Sequence, residues 1–296
     1  MAYYAIQQIL DDAAARGLPL WETILEEDLR SHQGNREDTW NTMARLWEVM
    51  QETSRTYDPQ DRSRSGLTGG DGARVQEAAA QGKLLGGPFV QEVIAEALRT
   101  SECNACMKRI VAAPTAGSCG VLPAVLIPTA KWEKLEDQKV VEALFVAAGF
   151  GQVVAARASI AGAQGGCQAE IGTASAMAAA ALTYLKDGTP QMCSYAFAMA
   201  LNGLLGLVCD PVAGLVEIPC VQRNVTGALN ALGCADMALA GVVCRIPADE
   251  AIDAMGDIGD KMPSELRETG RGGLAATPTG KAIAEKLLSP LSEETI

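Results

Sequence analysis

"GTASAMAAAALTYLKDG", residues 172–188, decides the fold. A half-buried strand would alternate apolar and polar positions, whereas here small apolar residues run unbroken from 176 to 182. The segment reads as a buried helix packed through small side chains, with Lys186 and Gly188 as its C-terminal stop. The same character extends upstream through "DQKVVEALFVAAGFGQVVAARASIAGA", residues 137–163. Further upstream, "GPFVQEVIAEALRT" sets Pro88 at a helix start and repeats apolar residues at Val90, Val93, Ile94 and Ala97. "TGALNALGCADMALAGVVC" and "PADEAIDAMGDIGDKM" continue the pattern downstream. No strand alternation persists and no repeat period appears. The expected fold is all-α, a multi-helical domain.

The remaining organisation follows from breaks in that pattern. Residues 3–56 read as N-terminal helices, with Trp40, Met43, Trp47 and Met50 forming one apolar face. That face suits either the core of this chain or packing against another one. "YDPQDRSRSGLTGGDGA", residues 57–73, gathers Pro, Ser, Gly and charge, and marks a long loop and a possible boundary. We expect a single helical catalytic domain over 1–296, made of helices 1–56, the loop 57–73 and a core over 74–290.

Composition excludes several functions. Of 296 residues, 48% are hydrophobic and 20% charged, enough apolar surface for a substantial core. A net charge of -12 leaves no basic stripe to neutralise phosphates, so nucleic acid is not the expected partner. "MAYYAIQQILDDAAARG" has no basic n-region followed by an apolar stretch, so no signal peptide is expected. The most membrane-like run, "AFAMALNGLLGLV" at 196–208, falls short of the roughly 20 residues a span needs and reads as a buried helix. No membrane association is expected. Nine cysteines then point to a reducing cytoplasm and to core, ligand or redox roles rather than a disulfide framework.

"LVCDPVAGLVEIPCVQRN", residues 207–224, spaces Cys209 and Cys220 too widely for a zinc knuckle or a C-x-x-C redox pair. Cys209 precedes Asp210-Pro211, and Cys220 follows Pro219. Cys167, in "AGAQGGCQAEIG", follows two glycines and precedes a helix-like segment. Glycines allow close approach of a bulky group, and a helix N-terminus favours a thiolate. All three cysteines are therefore placed at helix ends facing one pocket. Separated thiolates can hold an iron–sulfur cluster, and buried cysteines are equally ordinary small hydrophobes. The formal C-x-x-C at Cys103 and Cys106 lacks a second pair and follows a helix-like segment, so it reads as two thiols on a helix.

Taken in order, "GLTGGDG", "PTAGSCG", "GGCQAEIGTASAM", "CDPVAGLVEIPCVQRN" and "LRETGRGGLAATPTG" span residues 66–280. Together they resemble the α chain of the bacterial iron–sulfur-dependent L-serine dehydratase (L-serine deaminase) family. The resemblance implies a 4Fe–4S cluster held by Cys167, Cys209 and Cys220, with helix ends converging on a cluster-binding pocket. It leaves Cys103, Cys106, Cys119, Cys193, Cys234 and Cys244 structural. Three thiolates leave one iron open to act as a Lewis acid on the serine hydroxyl. The resemblance further implies a place in amino-acid catabolism and gluconeogenesis.

The two-chain form is the better match, because the last cysteine is Cys244 and no "SSSHT"-like segment occurs. A separate β chain, L-serine and an oligomeric assembly are the expected partners. Thr115, Gly117 and Ser118, ahead of the apolar run 121–127, suit a substrate carboxylate, or equally an ordinary helix cap. Thr68 and Asp71 are implied near the substrate, with the loop 57–73 closing over the pocket. The base is open: Glu170, a turn beyond Cys167, is one candidate, a metal-shell hydrogen-bond partner is its other role, and a β-chain group is a third solution. His32, in the polar "LRSHQGNRED", is expected to be a solvated loop residue.

Two other classes remain open on sequence. A pyridoxal-phosphate dehydratase needs a Schiff-base lysine beside a glycine-rich phosphate loop, and Lys83 and Lys186 are the nearest lysines to such loops. A non-catalytic helical redox or oxygen sensor would use Cys103 and Cys106. One methyl group separates serine from threonine, so selectivity between them is not written in the sequence.

Overall fold

The computed structural model describes residues 3–289; positions 1–2 and 290–296, at the two ends of the expected domain, lie outside the described residues. Among the described residues there are α-helices and short 3-10 turns, one π-helical turn and no strand. An isolated parallel bridge between Cys209 and Arg267 is the one element of β pairing among the described residues. The all-α expectation holds.

In chain order the helices are α1 (Ile6–Arg16), α2 (Leu20–His32), α3 (Arg36–Arg55), α4 (Asp71–Ala80) and α5 (Pro88–Ala105). Then come α6 (Val121–Glu133), α7 (Asp137–Arg157), α8 (Gly162–Gly165), α9 (Thr173–Leu185) and α10 (Pro190–Asn202). The series closes with α11 (Cys220–Leu239), α12 (Ala248–Lys261) and α13 (Pro278–Leu288). Pro88 occupies the first turn of α5, where its missing N–H costs nothing.

The opening stretch forms α9, and every residue of that helix except Tyr184 is buried. It packs against α6, α7, α10 and α11, so a helix apolar on all sides is the centre of the bundle. Small residues set the spacing. A Cβ on Gly151 of α7 would lie 2.6 Å from Met177 Sδ of α9, and one on Gly149 would lie 2.6 Å from Ile24 of α2. Between α7 and α10, Phe150 and Phe197 meet edge to face with centroids 5.6 Å apart. Burying one such side chain contributes about 1.5–3 kcal/mol.

Two expectations change, and a third reading resolves to one of its two alternatives. The run 196–208 is not one helix: α10 stops at Asn202, and the chain turns through Gly203 and Gly206, the latter at φ +81. Among the described residues, the one helix long and apolar enough to cross a membrane by length and composition is α7, a core helix with 67% of its apolar window buried. The Trp40–Met50 face is used within this chain. Trp47 and Met50 are core residues, Trp40 stacks on Phe145 of α7, and Trp47 Nε1 donates to Asp137 Oδ1 at 2.6 Å.

The loop after α3 packs closely. Ser63 and Thr68 are buried, and the Ser63 and Ser65 hydroxyls donate to Glu217 Oε2 at 2.6 and 2.7 Å. This ties the loop to the 207–224 segment.

Candidate functional site

Three backbone devices bring Cys167, Cys209 and Cys220 together. Gly166, at φ +75, turns the chain out of α8 and delivers Cys167 to the start of a π-helical turn, Gln168–Gly172. At this φ glycine is the favoured residue, and a Cβ at Gly166 would crowd Met262 Sδ at 2.6 Å and Leu207 O at 3.0 Å. Cys209 lies on the extended bridge: its N–H donates to Leu266 O at 2.8 Å, and Glu268 N–H donates to Cys209 O at 2.7 Å. Cys220 is the first residue of α11. Two of the three thus sit at helix starts as expected. Cys209 does not, because α10 ended seven residues earlier and pairing with the 266–268 segment replaces a helix end.

The thiols share one electrostatic environment. The Cys209 thiol donates to the Cys167 sulfur, which holds Cys167 below the usual thiol range despite its burial. Arg223 reinforces this by its charge. The same thiol pairing, followed by burial, pushes Cys209 up. Burial pushes Cys220 up to about 12, with the Cys167 charge adding to it.

Glu170 faces these sulfurs. Its Oε1 accepts from Thr115 Oγ1 at 2.7 Å. Burial raises its carboxyl above the ordinary range, Thr115 opposes the rise, and Glu268 adds to it. Gly162 leaves open the space between them: a Cβ there would lie 2.6 Å from Glu170 Oε2 and 3.1 Å from Cys209 Sγ.

Thr115 caps the 3-10 turn Ala116–Ser118 ahead of α6, and its hydroxyl lies 3.1 Å from Ser118 Oγ. Gly117 closes the group, since a Cβ there would stand 3.4 Å from Glu170 Oε1. Thr115, Gly117, Ser118 and Glu170 therefore meet. Thr68 and Asp71 are placed differently. Thr68 exchanges bonds with Ser63 inside the loop, while Asp71 begins α4, pairs with Arg74 and donates its N–H to Glu102 Oε1. His32 is exposed as expected, although it is the last residue of α2 rather than a loop residue, and it bonds back to Asp28. Cys103 and Cys106 end α5 in a separate small cleft beside Asp61 and Lys108. Lys186 caps α9 at its C-terminal end and pairs with Glu133.

Sequence reasoning passed over the polar frame of this site. Arg223 Nη1 donates to Val208 O at 2.7 Å and Nη2 to Asp210 Oδ1 at 2.8 Å. Asp210 Oδ2 accepts Leu274 N–H at 2.7 Å. Asn224 donates to Gly117 O at 2.8 Å and to Cys220 O at 2.9 Å, and accepts Gly120 N–H at 2.9 Å. The available signal was spacing: Arg223 and Asn224 lie three and four residues beyond Cys220, on its face of α11. Glu268 carried no signal, and it sits at φ +62, a conformation uncommon outside glycine.

Among the described residues, no three His, Cys, Asp or Glu side chains gather tightly enough to ligate one metal ion. A multi-iron cluster makes a different demand, since its thiolates bind separate irons around a larger body. The donor set fits that demand: Cys209 Sγ borders the side-chain-free Gly162, and Cys167 lies within electrostatic reach of both Cys209 and Cys220.

Fold and site together define a helical protein in which three free cysteines lie close to a carboxylate and a hydroxyl-bearing turn. The family described as "Serine dehydratase alpha chain" matches residues 15–275, and the chain belongs to that family. A probable L-serine dehydratase α chain of Bacillus subtilis is 44% identical over 282 residues, 95% of this chain and 94% of the relative. The L-serine dehydratase α chain of Peptoniphilus asaccharolyticus is 40% identical over 283 residues, 95% and 97% of the two chains. L-serine dehydratase 2 of Escherichia coli is 36% identical over 270 residues, 88% of this chain and 58% of that longer protein.

Proposed function

We propose that this chain is the catalytic α chain of a cytoplasmic two-chain L-serine dehydratase, a lyase that converts L-serine to pyruvate and ammonia. The convergence of Cys167, Cys209 and Cys220 beside Glu170 carries the proposal. These three cysteines would hold a 4Fe–4S cluster, and the chain would act as one catalytic domain over 1–296. When bound, such a cluster supplies Lewis acidity toward the serine hydroxyl at its iron without a thiolate.

The chain's own residues supply the rest. Cys209 and Cys220 are protonated in the free protein at neutral pH, so loading the site releases protons. The first amides of a helical turn lack internal partners, so Ala116 and Gly117 N–H groups are open to the substrate carboxylate. Asn224 holds that turn in place through Gly117 and Gly120. Glu170 accepts the Cα proton, and burial makes its carboxylate a stronger base than an exposed one. Loss of that proton and of the hydroxyl as water gives aminoacrylate, which tautomerises and takes up water to release pyruvate and ammonia.

The test is anaerobic purification of the chain with and without a β chain, assaying pyruvate formed from L-serine alongside iron content. Cys167→Ala, Cys209→Ala and Cys220→Ala each lose iron, whereas Cys103→Ala with Cys106→Ala retains it. Wild-type iron content in Cys209→Ala would sink the assignment.

A further inference from the structure

Arg223 is three residues into α11 from Cys220, and its side chain is 14% exposed. Its guanidinium reaches both sides of Cys209, through Val208 O and Asp210, and its charge bears on Cys167, whose neighbour Gln168 donates its N–H to Leu207 O at 2.9 Å. Asp210, 4% exposed, spends its other oxygen on the Leu274 amide. Gly273, at φ +56, permits this approach, because a Cβ there would lie 2.2 Å from Asp210 Oδ2. Four segments distant in sequence therefore meet at one ion pair: the turn after α8, the 207–210 strand-like stretch, the start of α11 and the 266–274 loop.

We propose that the Arg223–Asp210 pair is a positioning latch that assembles the three thiol-bearing segments before any cluster arrives and then slows cluster loss. The proposal rests on the three-cysteine assignment only in its second half. A planar guanidinium with five donors in a fixed fork serves two acceptors in different directions, which a lysine ammonium on a flexible stem does poorly. Its positive charge also offsets the thiolate charge that loading the site creates, in surroundings too dry for water to do so.

The experiment uses the full chain and two variants, Arg223→Met and Asp210→Asn, with Arg223→Lys as the conservative control. In the metal-free protein, hydrogen exchange at the Leu274 amide reports the latch directly. It accelerates in Arg223→Met and Asp210→Asn while amides of α9 keep their protection. In the anaerobically loaded protein, iron release to a chelator speeds up about 10-fold or more in Arg223→Met, in line with the loss of outer-shell ligand support, and Arg223→Lys falls between. If Arg223→Met fails to fold, Asp210→Asn decides, since it is nearly isosteric and cannot serve Arg223 and Leu274 as a charged acceptor. Unchanged Leu274 exchange in a folded variant overturns the latch. Unchanged iron release with faster exchange overturns its role in retention. A wild type that takes up no iron defeats the cluster assignment, and the exchange result still judges the latch.

Discussion

Thr115 Oγ1 donates to Glu170 Oε1 at 2.7 Å, joining the turn before α6 to the π-helical turn after Cys167. The bond spans 55 residues of sequence and fixes where the carboxylate points. It also opposes the burial that raises the Glu170 carboxyl. Thr115→Val keeps the shape and removes the donor. Losing one hydrogen bond to a charged group costs about 1.5–3 kcal/mol. Glu170 then moves further up, so the acid limb of kcat/KM against pH shifts to higher pH and kcat falls. An unmoved acid limb counts against Glu170 as the base.

Gly162 tests the space itself. Gly162→Ala places a Cβ 2.6 Å from Glu170 Oε2 and 3.1 Å from Cys209 Sγ. Overpacking of this kind costs about 1–3 kcal/mol and displaces the softer neighbour, here the two functional side chains. Circular dichroism is expected to show full helix content, while iron per chain and pyruvate formation both drop. Wild-type iron in Gly162→Ala would mean that the group sits elsewhere.

Glu96 is a structural carboxylate whose titration is separate from the thiols. It is buried on α5, accepts from Ser54 Oγ at 2.7 Å and lies 3.7 Å from Arg99. Burial outweighs these partners and raises its carboxyl. The folded chain therefore binds this proton more tightly than the unfolded chain does. Its stabilising contribution is complete below the ordinary carboxylate range and is lost as pH climbs through the raised value. Glu96→Gln removes the titration and keeps an acceptor for Ser54. Urea melts of the metal-free protein should give a flatter stability–pH curve for Glu96→Gln, gaining on the wild type toward neutral pH. Parallel curves would show that Glu96 titrates as an exposed acid.

What the sequence disclosed and what it hid divides along local and non-local causes. The central helix was legible because an unbroken run of small apolar residues has one stable solution, a helix buried on all sides. The helix-start positions of Cys167 and Cys220 were legible because their flanking glycines and proline are local features. The end of α10 was not, since an apolar run does not show where Gly203 and Gly206 turn the chain. Cys209 was misplaced for a similar reason: its partner Leu266 lies in a segment the local pattern does not mention. Asn224 looked like an ordinary polar helix residue until the fold brought Gly117, 107 positions away, to its amide.

The last prediction concerns the β chain. The sequence has one histidine, His32, and it is exposed at the end of α2, bonded to Asp28. The titratable groups facing the thiols are therefore carboxylates and Arg223, with no imidazole among the described residues there. The longer Escherichia coli relative contains this chain's match in 58% of its length. We expect the isolated chain to fold, load iron and convert L-serine slowly, and a β chain to raise kcat rather than iron content. Trp47→Phe is the control for a packing effect. It loses the indole bond to Asp137 and about 1–2 kcal/mol of stability, but its response to the β chain stays that of wild type, because the Trp40–Met50 face is already used inside this chain. Titrating purified β chain into the anaerobic α chain and following pyruvate settles the matter. Full turnover without it would show that the β chain adds no catalytic group, and in either case Glu170→Gln abolishes activity while leaving the iron in place.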